Sequence, residues 1–152
     1  MELSCPISAN RINETVVRII AFETLLIGLT CAVCGNYDAM ILLAIDFGIR
    51  AFTNGKLSLL KVIAIQVFSL FSFPIKMTDL APKKFAAMLG FIFCLVISLC
   101  YVFNFEVLTL ALTIVLLIFA ILESIFSICV GCYFYTFILA ITRKKTFEEK
   151  NS

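Results

Sequence analysis

From Phe85 to Phe103 the chain passes without one charged side chain, and from Val107 to Thr142 the only charge is Glu123. A bilayer core about 30 Å thick takes roughly 20 consecutive apolar residues in a helix, and no lipid-exposed backbone other than a helix or a closed barrel can satisfy its own polar groups there. Runs of this kind dictate an all-α, polytopic membrane protein. Four spans are expected, at about 16–34, 39–54, 85–103 and 107–127. The last is too long for one straight crossing and continues as a tilted or broken helical extension to about residue 142, before a basic tail at 143–152. The first run is not a cleavable leader, because Arg11, Asn13, Glu14 and Arg18 precede or enter it and no cleavage-type flank follows.

The apolar stretch 57–73 demands a separate decision. Ser58, Lys61, Ser69 and Ser72 fall near one helical face while Leu60, Val67, Leu70 and Phe71 cluster elsewhere. That pattern predicts an amphipathic helix lying in the membrane interface between the second and third spans. Charge placement agrees. The turns at Gly35–Asp38 and Asn104–Glu106 hold no Lys or Arg, whereas the N-terminal arm, the central segment and the tail hold nearly all of them. Short cytoplasmic loops are the basic ones, so the expected topology puts both termini in the cytoplasm of a multi-pass inner-membrane protein. A fifth span would put basic groups on both sides.

Composition removes several chemistries. Hydrophobic residues make up 62% of the 152 positions, against roughly 45–50% in ordinary soluble domains. A net charge of +2 with no basic stripe argues against nucleic acid as a partner. The lipid bilayer is the first partner to expect. Histidine is absent, which excludes His-based triads and HExxH metal sites. Chemistry is left to Cys, Asp, Glu, Lys, Arg and Tyr.

Seven cysteines then become the focus. Cys129 and Cys132 flank Val130-Gly131 at the end of the last apolar run, and Cys5-Pro6 stands ahead of the first. A Cys-x-x-Cys pair at a helix start or beside a cation has a depressed thiol pKa and a populated thiolate. If the fourth span ended near Ser127 and a helix restarted after Cys129, the thiols would sit at a fresh N-terminus, and Gly131 would allow a turn or a close approach. The topology gathers Cys5, Cys129 and Cys132 on the cytoplasmic face as candidate reactive thiols. Arg50 and the Pro82-Lys83-Lys84 lead-in to the third span point to the same layer. Ionisable groups in lipid need partners: Asp46 and Arg50, four residues apart, are expected to satisfy each other, and Glu123 is expected to find a basic partner such as Arg18 or Arg50. Glu23 needs a similar account. Plain packing is the alternative for all of the thiols, cysteine being a common small hydrophobe. That reading is preferred for Cys94 and Cys100, and for the Cys31/Cys34 pair at the outer end of the first span, where a disulfide would be redox-permitted. The phenylalanines are read as lipid-facing and core filler, and Arg143-Lys144-Lys145 as an anchor at anionic headgroups.

Four stretches, "CPISANRINETVVR", "AIDFGIRAF", "DLAPKKFAAMLG" and "ESIFSICVGCYFY", together resemble a bacterial membrane family known as domain of unknown function DUF4395, over roughly Cys5 to Phe137. The resemblance implies a small multi-span protein with a Cys-Pro start and a Cys-x-Gly-Cys near its end, and partners among soluble thioredoxin-like or sulfurtransferase proteins. It supplies no established activity. Supporting roles fall on Pro6, Arg11, Asn13, Arg18, Asp46, Arg50, Pro82, Lys83, Glu123 and Gly131.

The reading from sequence is thus thiol/disulfide or sulfane-sulfur chemistry on a cytoplasmic cysteine cluster, with no cofactor predicted and with enzyme status left open. Two alternatives accompany it. Cys5, Cys129 and Cys132 with a carboxylate are the ligand set for a soft ion, zinc or copper(I). A transporter subunit or scaffold would instead use Glu23, Asp46, Arg50 and Glu123 as a polar path.

Overall fold

A computed structural model of the chain describes residues 11–53 and 57–150. In chain order these form β1 (Arg11–Asn13), α1 (Glu14–Cys34), α2 (Asp38–Phe52), α3 (Leu59–Phe71), β2 (Met77–Asp79), α4 (Leu80–Val102), α5 (Glu106–Phe126) and α6 (Val130–Lys150). Local sequence explains the boundaries. Asn13 caps α1 by accepting the Thr15 N–H at 3.1 Å. Gly35, with φ 69°, closes α1 in the left-handed conformation that suits glycine. Ser58 caps α3 through the Lys61 N–H at 3.2 Å.

Three helices, α1, α4 and α5, are long and apolar enough to cross a membrane. Their outward faces are apolar as well as their inward ones: Leu26 and Leu29, Ile92 and Leu99, and Ile114 and Ile118 remain about half exposed. Continuous exposed apolar surface of this kind is foreign to a water-soluble monomer. The second expected span is a 15-residue helix, about 22 Å long. At 13 residues α3 is shorter still. Both fall below the length of the other three.

Packing is densest where α2 lies along α4 and where α1 lies along α5, with α3 against α1 and α6 against the start of α4. Glycines set the α2–α4 approach reciprocally. A Cβ on Gly48 would meet the Phe91 ring at 3.1 Å, and one on Gly90 the Phe47 ring at 3.0 Å. The buried core runs through Ile20, Met40, Leu43, Cys94, Ile97 and Leu116. Cys94 and Cys100 are buried, and Cys31 is buried while Cys34 is exposed, with no disulfide among the described residues. Thr24, Thr109 and Thr113 are buried but hydrogen-bond to carbonyls one turn back, which meets their polar need without a partner helix.

The all-α expectation holds, the described residues forming six helices, and a short two-stranded antiparallel ribbon is added to it, in which Arg11 pairs with Asp79 and Asn13 with Met77. A Glu14 N–H to Lys76 carbonyl bond of 2.7 Å and a Lys76–Glu14 ion pair of 3.1 Å extend that clasp. Ser58 is not part of a polar helical face: it is the buried N-cap of α3. The helix α6 runs on through the basic segment to Lys150.

Candidate functional site

The site is built where α5 stops. Ser127 adopts φ 56°, and the Ile128 N–H returns to the Leu122 carbonyl at 3.0 Å, a Schellman-type closure. Arg18, from the first turns of α1, donates from Nε to the Ser124 carbonyl at 3.1 Å and from Nη2 to that of Ile125 at 3.4 Å. A cation on the free carbonyls of a helix C-terminus complements its dipole. The chain then breaks over residues 127–129 and restarts at Val130 as α6.

That restart positions the thiols. The Cys129 carbonyl accepts the Tyr133 N–H at 3.2 Å, which makes Cys129 the N-cap of α6 and puts Cys132 in its first turn. Cys129 is 6% exposed and Cys132 half-buried. Each thiol acts on the other, which pushes Cys129 up and pulls Cys132 below the ordinary thiol range; the Lys83 charge acts in the same direction on Cys132, while burial and Glu123 oppose. Orphan N–H groups of a helix N-terminus also favour a thiolate there. Gly131 makes the placement sterically possible: a Cβ at this position would lie 2.7 Å from both Cα and Cβ of Ala86. The Phe85 and Tyr135 rings, 5.7 Å apart, pin the same contact one turn further on.

Facing the thiols, Lys83 Nζ bonds Glu123 Oε1 at 2.9 Å, with the two side chains 11% and 21% exposed. The expected partners of Glu123, Arg18 and Arg50, are therefore replaced by Lys83, because Arg18 is held on the α5 carbonyls. Asp46 is corrected likewise. Its carboxylate accepts from Ser58 Oγ at 2.8 and 2.9 Å and from the Leu60 N–H at 3.3 Å, and no ion pair with Arg50 forms among the described residues. Arg50 instead lies over the Phe47 ring, 5.5 Å from its centroid, a cation–π geometry. Both Glu23 carboxylate oxygens are buried, with no hydrogen-bond partner among the described residues.

Arg50, Lys83, Glu123 and Cys129 all border one cavity of about 400 Å³ between α1, α2, α4, α5 and α6. Of the other expected residues, Asn13 caps α1, Arg11 enters the ribbon, and Pro82 stands in the first turn of α4, where a missing N–H costs little. Asp46 serves the α2–α3 junction. Cys5 and Pro6 lie outside the described residues. Among the described residues no group of three or more Cys, Asp or Glu side chains converges as a metal site.

Two contributions escaped the sequence reading. Phe47, Phe93, Phe119 and Phe134 line the cavity rather than serving only as lipid-facing or core filler. The Lys83–Glu123 pair was detectable in principle: the residues sit equally far along the chain on either side of Phe103, at the turn of the α4–α5 hairpin, so antiparallel packing brings them level.

Reactivity of Cys132 tests the electrostatics. Thiolate forms as pH rises through the pKa, so a lowered pKa means alkylation that reaches half-maximum below the ordinary thiol range. Cys129→Ala removes the neighbouring thiol that lowers Cys132 and is expected to move that midpoint up. Glu123→Gln removes an opposing charge and is expected to move it down. Iodoacetamide rates against pH, with Cys132 followed by mass spectrometry, read both signs.

The structure thus defines a helical protein with three helices long and apolar enough to cross a membrane and a Cys-x-x-Cys at a helix start beside a mostly apolar cavity. The chain belongs to the family described as Domain of unknown function (DUF4395), whose profile it matches over residues 12–140. No curated protein matches it, and no solved structure does.

Proposed function

We propose that the chain is a thiol protein of the bacterial cytoplasmic membrane, handling thiol/disulfide or sulfane-sulfur chemistry through Cys129 and Cys132, with Cys5 as a third thiol. The observation that supports this best is the placement of Cys129 at the N-cap of α6, with Cys132 in the first turn and Lys83 bordering the same cavity. Thiolate nucleophiles use such surroundings. In the proposed topology α1, α2, α4 and α5 span, α3 lies in the interface, and both termini are cytoplasmic. The short α2 crosses alongside α4, and the basic residues near the thiol end are the positive-inside signal. A soluble thioredoxin-like or sulfurtransferase protein would meet the thiols from the cytoplasm.

Sided labelling tests this. In a background lacking Cys31, Cys34, Cys94 and Cys100, membrane-impermeant maleimide is expected to reach Cys5 and Cys132 only in inside-out vesicles, and to label Cys129 and Cys132 more strongly after reduction. Labelling from the opposite face overturns the topology. No change on reduction under oxidising conditions overturns the redox role.

One observation favours a second reading. Buried carboxylates such as Glu23, whose oxygens have no hydrogen-bond partner among the described residues, mark proton or ion paths in membrane helices. A transport role survives Cys129→Ser/Cys132→Ser, whereas thiol chemistry does not.

A further inference from the structure

The cavity beside the thiols has a composition that restricts its occupant. Its volume, about 400 Å³, lies in the range of small-molecule sites. Five phenylalanines from four helices line its walls: Phe47, Phe85, Phe93, Phe119 and Phe134. The polar groups gather at one end. Lys83 is bonded there to Glu123, and Arg50 and Cys129 border the same space. A water-soluble metabolite would leave most of its polar groups unmatched against these walls. An acyl chain would fill them but would not use their flat aromatic surfaces, which favour a planar ring. Cationic donors beside the ring would suit a carbonyl oxygen. A dithiol in a membrane protein also needs something to carry away its electrons.

We propose that the cavity binds a lipid-soluble quinone, with a ring oxygen toward Lys83 and Arg50, and that this quinone is the oxidant of Cys129 and Cys132. The inference rests on the thiol reading and names its co-reactant. In the step, both S–H bonds break and one S–S bond forms, releasing two electrons and two protons. The quinone takes up both electrons and both protons, its two C=O groups becoming C–OH. The reaction is balanced without a further reagent.

The experiment uses the full-length chain in detergent, lacking Cys31, Cys34, Cys94 and Cys100, reduced and handled without oxygen. The probe is a fully ring-substituted benzoquinone with a ten-carbon chain, whose blocked ring positions prevent thiol addition. Diamide, a water-soluble thiol oxidant, is the control. The expected result is a Cys129–Cys132 disulfide with one quinol formed per disulfide. Ala120→Phe on α5 and, independently, Ala87→Leu on α4 intrude on the cavity walls and are expected to slow the quinone reaction about tenfold or more, leaving the diamide reaction unchanged. If diamide joins the two cysteines but the quinone does not, or if both wall variants react with quinone as fast as the parent, the quinone site is wrong and the thiol reading stands. If neither oxidant joins Cys129 to Cys132, the thiol reading falls and the quinone inference with it.

Discussion

Lys83→Met is expected to destabilise the protein by about 3 kcal/mol, the scale on which breaking one side of a buried ion pair strands the other charge. Glu123 keeps 21% of its side-chain surface exposed, too little for water to replace the lost ammonium fully. The penalty therefore belongs to the carboxylate left behind, and the corresponding double variant identifies it. Lys83→Met/Glu123→Leu removes both charges and is expected to recover most of the loss, since an apolar pair of similar volume is often neutral or better than a buried salt bridge. Thermal unfolding in detergent, comparing parent, both single variants and the double, measures the difference. Additive losses in the double would show that the two side chains do not act as a pair.

Gly131→Val is expected to cost about 1–3 kcal/mol, the usual range for overpacking, and to act on the site directly. The new side chain must displace the Ala86 backbone, already 2.7 Å from the first added carbon. Backbone cannot swing away as a side-chain tip can. The first turn of α6 would have to lift from α4, carrying Cys132 away from Lys83 and uncovering Cys129. Two readouts should therefore move together: a lower unfolding midpoint and faster maleimide labelling of Cys129. Gly131→Ala with Ala86→Gly is expected to recover part of the stability, because the methyl group of Ala86 is one of the two atoms encountered.

The sequence carried the architecture further than the pairings. Uninterrupted apolar runs mark α4 and α5 without ambiguity, since a run of about 20 apolar residues crosses lipid as a helix, whereas a barrel strand takes only about ten. The positions of Cys129 and Gly131 already suggested a helix restart. The Asp46 partners were not legible, because residues four apart on a helix invite pairing, and only tertiary packing brings the capping hydroxyl of Ser58 within reach. Arg18 was misjudged for a related reason. Free carbonyls at the end of α5 compete with any carboxylate for a guanidinium, and they leave no trace in side-chain spacing. The β1–β2 ribbon was invisible because three-residue strands in a polar linker show no period long enough to read.

That ribbon also bears on how the protein is made. β1 has its hydrogen-bonding partner only when residues 77–79 exist, by which time α1, α2 and α3 have already been synthesised. At about 5–20 residues per second, the first strand waits several seconds after translation before it can close. Arg18 waits longer, for carbonyls at 124 and 125. Biogenesis therefore has a fixed order: α1 to α3 first, the clasp next, and the thiol-bearing turn after α4 and α5, so a chain arrested before α5 is complete would enter quality control with its entire reactive face unassembled.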